Sequence, residues 1–403
     1  MKYLFILTLF FSLIPFDGLL GFKVGIPAFG GVLFSLVVYV KYFLTKGEVV
    51  WQYIYPLIGL FFLYFIWIFV VVVAGGDVHE FVRGLVNLFG ACLICGGVVL
   101  SFLCSKKSEL LKLVTVVLSI LFLGVFFEFL FGIEYLSGIR GYLYRDEYYS
   151  ALVRDVALWG VVRPLFVFQE PSYLGVYSSI FIFLYVTLKN KSDKWRFGVS
   201  LFLSLVFFYL LRSPTMMSVP LFYLSVSLAG YFGRVLSVLF LVLSALFLFA
   251  YLASISDELL SLTSEGYSLN ARLLTPLLVL LRNMDDIFWF GSGLGVVPEY
   301  FLVDIKYLFY LDLESKYLLT NSFIEFFIYH GVVGGFAFIV VWYFAYAKVT
   351  GVRFFEFLIL ILIFWNMVGG VVTVFSVIVI GVLCVARGSS FVCSISKDEE
   401  KFK

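Results

Sequence analysis

Residues 110–132 read LLKLVTVVLSILFLGVFFEFLFG, and the ionisable side chains in them are Lys112 near the start and Glu128 near the end. About 20 apolar residues carry a helix across the hydrocarbon of a bilayer, so this segment predicts a membrane-spanning helix. Eleven further apolar runs recur along the chain, at 4–20, 26–44, 51–73, 85–104, 171–188, 196–211, 216–231, 235–254, 321–346, 354–368 and 371–386. The last two form one stretch interrupted by Asn366, Gly369 and Gly370, which reads either as two helices or as one kinked helix. Composition points the same way. With 63% hydrophobic residues, 13% charged, and 50 Phe and 26 Tyr in 403 residues, a water-soluble fold has too little polar surface to cover its apolar side chains. The predicted fold is all-α: a polytopic membrane protein of about 12 transmembrane helices, read as one integral membrane domain over 1–403.

Lys and Arg accumulate in cytoplasmic loops, which gives an independent test of the topology. With the N-terminus inside, seventeen of the 28 Lys and Arg fall on inner segments and eleven on outer ones, and every inner loop carries at least one. Both termini are then cytoplasmic. Eight of the eleven outer cations are arginines, which pair with phosphate and carboxylate through a planar fork. The first apolar run has no small-residue cleavage site, and Pro15-Phe16-Asp17 is a poor one, so it reads as a retained helix. Cys92 and Cys95 lie inside an apolar run, and Cys104, Cys384 and Cys393 lie near the inner face, so neither a disulfide framework nor a zinc site is expected. No internal repeat is evident, which weighs against transporters built from duplicated halves.

Two outer (periplasmic) segments, 133–170 and 255–320, are long enough to hold structure of their own, and both mix aromatics with arginines in the manner of interfacial helices. In the first, Arg140, Arg145 and Arg154 read as solvated or paired with Asp146, Glu147 and Asp155. Arg163-Pro164 differs. It leads to Gln169-Glu170-Pro171-Ser172 and Gly175, placing a carboxylate at the mouth of the helix predicted over 171–188. Pro171 suits the first turn of that helix. Glu170 then either favours the helix N-terminus electrostatically or acts as a proton acceptor.

The second outer segment contains NARLLTPLLVLLRNMDDIFWFGSGLGVVPEY over 270–300, and LLTNSFIEFFIYHGVVGG over 318–335 follows it. Arg272 opens an apolar run, Arg282 lies further along it, and a flexible turn of Gly291, Gly293 and Gly295 comes next. Arg282 precedes Gly293 by ten intervening residues; Arg163 precedes Gly175 by eleven. Thr320, Asn321 and Ser322 open the apolar helix 321–346, with Glu325 one turn below Asn321 on the same face. Buried in a membrane, Glu325 calls for a cation or a proton, as do Glu128 and Asn366 for partners of their own. His330 lies deep in that helix and reads as a hydrogen-bonded core residue. Arg212, in FYLLRSPTMMSVP, sits where the chain turns at the outer end of 196–211.

Taken in order, these elements resemble the Wzy-type O-antigen and exopolysaccharide polymerases and their relatives, the O-antigen ligases. The likeness rests on the arginine with Glu170-Pro171-Ser172, on the Arg212 turn, on the arginine-to-glycine spacing in the outer loop, and on the Asn321 helix opening. Ligases carry a histidine immediately before that Asn, where this chain has Thr320, so the resemblance leans towards a polymerase. It implies metal-independent glycosyl transfer from a lipid-linked glycan by direct displacement with inversion, at the outer face of a bacterial inner membrane. Arg212 and Arg272, with Arg163 and Arg282, would clamp the diphosphate, and Glu170 would accept the proton of the incoming hydroxyl. Gly291, Gly293, Thr320, Asn321 and Glu325 would contribute to substrate binding, the glycine turn by moving over the polyprenyl chain. Undecaprenyl-diphosphate-linked oligosaccharide, membrane lipid and a separate chain-length co-polymerase are the implied partners. No cofactor, metal or nucleic acid is expected.

Overall fold

The computed structural model describes residues 32–41, 43–44, 58–67, 69, 78–103, 105–144, 156, 162–168, 171–189, 191–232, 280, 289, 291–293, 322–348, 350–367 and 374–388. Among these the regular structure is entirely helical. In chain order the helices are α1 (Val32–Lys41), α2 (Ile58–Trp67), α3 (Val78–Leu103), α4 (Lys107–Phe131), α5 (Ser137–Tyr144), α6 (Pro171–Leu188), α7 (Asp193–Leu211), α8 (Ser218–Phe232), α9 (Ser322–His330), α10 (Val332–Trp342), α11 (Phe354–Phe364) and α12 (Val374–Arg387). The expected runs 4–20 and 235–254 lie outside the described residues.

Helix α4 shows why this chain belongs in a membrane. Leu110, Val114, Leu118, Leu121, Val125 and Glu128 recur every three or four residues and face the protein. The opposite face is as apolar as the buried one: Val116, Leu123 and Phe131 are 55%, 61% and 63% exposed. A contiguous apolar face of that length suits lipid and not water. Among the described residues three helices are long and apolar enough to cross a membrane, Gly84–Leu103, Lys107–Phe131 and Asp193–Leu211, and α9 with α10 makes a fourth if that bent pair is one span. Five shorter apolar helices accompany them.

Packing centres on α6, whose residues are buried from Leu174 through Leu184 and again from Val186 to Leu188. Helices α4, α7, α8 and α12 surround it, and α12 packs most extensively on α3. Inside lipid, apolar side chains gain little by leaving one oily environment for another, so close backbone approach carries the association. A side chain at Gly381 would collide with Cys95 Sγ, and one at Gly97 with Ser35, which holds α12 and α1 tightly against α3.

One expectation changes and one open alternative is decided. The run 321–346 is not one helix: α9 and α10 meet at Gly331 with a bend of 114°. Gly331 adopts φ 75°, a conformation open to glycine and costly to other residues, so the chain can turn abruptly there. The stretch 354–386, left open between one helix and two, is two. Arg387 at the end of α12 donates to Glu356 at the start of α11 over 2.9 Å. A continuous helix would separate residues 31 apart by about 45 Å.

Charged groups sort to two ends of the bundle. At one end Arg387 pairs with both Asp193 (3.0 Å) and Glu356 (2.9 Å), while Arg196 pairs with Asp193 and Arg353 with Glu356. These arginines are among those assigned to inner segments by the loop-charge pattern. Arg140, Arg163 and Arg212 lie at the other end, with the C-termini of α4 and α7 and the N-terminus of α6.

Candidate functional site

The N-terminal turn of α6 gathers this second end. On one side, Gly175 approaches the chain after α7 so closely that a Cβ there would lie 2.7 Å from Ser213 Oγ and would overlap Thr215. Ser213 and Thr215 hydrogen-bond each other at 2.8 Å, and Ser179 Oγ donates to the Thr215 carbonyl at 3.0 Å. On the other side, the segment 162–168 crosses from α4 to α6. The Phe166 ring lies against Gly124 of α4, and Phe168 packs on Tyr177 of α6 at 4.6 Å between ring centroids. Two sequence elements far apart in the chain, one bearing Arg163 and one bearing Arg212, thus flank the same helix start.

Arg212 takes the position expected of it. It caps α7 in the left-handed conformation (φ 50°, ψ 41°), its N–H donates to the Phe208 carbonyl at 2.7 Å, and its side chain is partly exposed. A non-glycine residue in this region costs roughly 1–2 kcal/mol, a cost the native contacts offset. Pro214 follows two residues later, where it blocks continuation of the helix. Arg163 is buried at 8% exposure. Glu170, Arg272, Arg282, Thr320 and Asn321 lie outside the described residues, as do Arg145 and Arg154.

Arg140 is buried and not solvated, contrary to that part of the expectation; Asp146, Glu147 and Asp155 lie outside the described residues. It is fully buried, and its guanidinium donates to the Glu128 carboxylate, to the Phe166 carbonyl at 2.8 Å and to the Ile133 carbonyl. Glu128 finds there the cation its position demanded. Its other oxygen accepts from the backbone N–H groups of Leu165 (2.8 Å) and Phe166 (2.5 Å). The signal was present in the sequence: an acidic residue in register with the buried stripe of α4 must meet a cation, and Arg140 follows one short connection later.

The glycine turn also differs from expectation. Gly291 and Gly293 do not form a free-standing hinge but seat on the break between α9 and α10. Ser292 and Gly293 donate their backbone N–H groups to the carbonyls of Ile328 (2.9 Å) and Tyr329 (3.0 Å), and Gly334 donates to the Trp289 carbonyl at 3.0 Å. The break leaves the last carbonyls of α9 without helical partners, and in hydrocarbon no water would satisfy them. The turn supplies the donors. A Cβ at Gly291 would sit 2.5 Å from the Ile328 oxygen and 2.6 Å from the Tyr329 carbonyl carbon, and its φ is 66°, so glycine is required twice over.

Glu325 and His330 on α9 are both buried. The Tyr329 hydroxyl donates to Glu325 from one turn further along. His330 Nδ1 lies 2.7 Å from the Phe326 carbonyl, which can only accept, so Nδ1 carries the proton. Nε2 then accepts from the Tyr64 hydroxyl at 2.8 Å, and Trp342 Nε1 donates to that hydroxyl at 3.2 Å. With both nitrogens engaged, His330 is a core residue, as expected, and offers no lone pair to a substrate. Asn366, just past the end of α11, donates back to the Leu362 carbonyl of that helix.

The arrangement brings the segments that carry Arg163 and Arg212, and the hydroxyls of Ser213 and Thr215, to one helix N-terminus, where the backbone dipole also favours anions. Comparison with family models, with curated proteins and with solved structures gave no match.

Proposed function

We propose that this chain is a polysaccharide polymerase of the bacterial inner membrane. It would join oligosaccharide repeat units carried on undecaprenyl diphosphate into an O-antigen or another surface polysaccharide. The reading includes twelve spans, cytoplasmic termini, the two outer segments and an active face towards the periplasm. The observation that carries it is the convergence of the Arg163 segment and the Arg212 turn on the start of α6, directly after Glu170 in the chain.

In the proposed reaction, Glu170 takes the proton from an acceptor sugar hydroxyl. The freed oxygen attacks the anomeric carbon of the donor, and the bond from that carbon to the diphosphate oxygen breaks with its electron pair leaving on the diphosphate. Direct displacement inverts the anomeric centre. Arg212 and Arg272, helped by Arg163 and Arg282, would bind the diphosphate more strongly as its charge grows, which lowers the barrier. Asn321, Thr320, Glu325 and the glycine turn would shape the substrate face, and a chain-length co-polymerase would act with it. A ligase that attaches finished chains is the nearest relative of this reading; Thr320 in the place of histidine speaks against it.

A second reading, a flippase or transporter of lipid-linked oligosaccharide, is favoured by one feature, the break at Gly331, since discontinuous helices line transport sites. A deletion strain separates the two. The polymerase reading predicts single lipid-linked repeat units on the periplasmic side and no long chains. Accumulation of those units on the cytoplasmic side would instead support transport and remove the polymerase.

A further inference from the structure

We propose that Glu128 and Arg140 form a positioning clamp for the outer site, fixing the segment that carries Arg163 and runs directly into Glu170; this rests on the polymerase reading above. Neither residue belongs to the motifs that suggested that reading.

The case begins with how poorly Glu128 suits its place. It lies in the last turn of α4, where a carboxylate opposes the helix dipole, and it is only 2% exposed. A buried carboxylate persists when its lone pairs are satisfied, and here both oxygens are. One receives the Arg140 guanidinium and the other the amides of Leu165 and Phe166. Arg140 completes the ring of contacts by donating to the Phe166 carbonyl as well as to Ile133. The peptide groups of a single residue, Phe166, are therefore held from both sides, the N–H by Glu128 and the C=O by Arg140.

Phe166 is also the strained residue of the segment. It adopts φ 50°, a conformation an aromatic residue keeps only when its surroundings impose it. Its ring lies on Gly124, one turn before Glu128 on the same face of α4, where any larger residue would displace it. Carboxylate, guanidinium and ring thus fix one backbone conformation three residues after Arg163 and four before Glu170. Gln169 and Glu170 join the buried Phe168 to the buried Pro171 at the start of α6. A pair serving stability alone would need no such asymmetric set of backbone contacts, because well-packed apolar residues often replace a buried ion pair without loss.

The test uses full-length protein in which the native cysteines are replaced and Val167→Cys is added, in nanodiscs, with a membrane-impermeant maleimide. In the native background labelling is slow. Glu128→Gln and the double variant Glu128→Met/Arg140→Met are each expected to speed it about tenfold or more, as local opening becomes easier. The double variant keeps a thermal midpoint close to that of the parent, and chain extension falls in both. Exchanging the charges, Glu128→Arg/Arg140→Glu, does not restore slow labelling, since a guanidinium at 128 offers no acceptor to the amides of Leu165 and Phe166. Labelling that stays slow in both variants overturns the clamp, and fast labelling with chains of native length overturns its positioning role. If the parent protein makes no chains from lipid-linked repeat units, the polymerase reading fails alone, because the labelling rates need no substrate.

Discussion

Replacing Gly291 with alanine tests whether the glycine turn is a seated cap or a free hinge. The new Cβ meets backbone on every side, at 2.5 Å from the Ile328 oxygen and 2.6 Å from the Tyr329 carbonyl carbon, so no side-chain rotation relieves it. The turn must lift, and with it go the hydrogen bonds from Ser292, Gly293 and Gly334 across the break. Three such bonds contribute about 3 kcal/mol, and the left-handed conformation adds about 1 kcal/mol for alanine, giving roughly 4 kcal/mol of destabilisation. That is a large part of the 5–15 kcal/mol typical of a folded protein. Gly198 in α7 is the matched control, because a Cβ there meets nothing within 4 Å, and alanine should stabilise that helix by up to about 1 kcal/mol. Unfolding of the purified protein, followed by circular dichroism during titration into denaturing detergent, reads both. Gly291→Ala shifting the midpoint no more than Gly198→Ala would refute the docking argument and return the turn to a mobile role.

Arg212→Gly should separate stability from activity: glycine accepts the left-handed cap without strain, so stability rises by about 1 kcal/mol while chain extension is lost, and normal chain ladders would remove Arg212 from the site. Tyr64→Phe takes away the donor to His330 Nε2 and should cost about 1–3 kcal/mol, with activity per folded molecule unchanged, as thermal unfolding and a chain-extension assay would read. Arg387→Ala leaves Asp193 and Glu356 without their shared partner at the opposite end and should cost about 3 kcal/mol, with an unchanged midpoint arguing that the cluster is wet and weak.

Much of the helical frame was legible because a span of apolar residues reports its own length. Residues 171–188 predicted α6 to the residue and 110–132 predicted α4 to within three, and the end of α7 at Arg212 was marked because Pro214, two residues on, cannot continue a helix. The break at Gly331 was not legible from hydropathy, since both halves are equally apolar and an averaging window sees one run. Its local sign was the cluster of Gly331, Gly334 and Gly335 after His330. The contact of Arg140 with Glu128 went unforeseen for a different reason. Asp146 and Glu147 are near in sequence, whereas Glu128 is reached only because α4 ends and the chain folds back upon it. The seat of the glycine turn on α9 is likewise tertiary, linking Ser292 to Ile328.

The central claim is that arginines at the outer end of the bundle, and no divalent ion, carry the charge of the departing diphosphate. Purified protein in nanodiscs, given synthetic lipid-linked repeat units with and without EDTA, tests it directly. The account predicts equal chain growth in both conditions and none with Arg212→Ala. Growth arrested by EDTA and restored by added magnesium would contradict it.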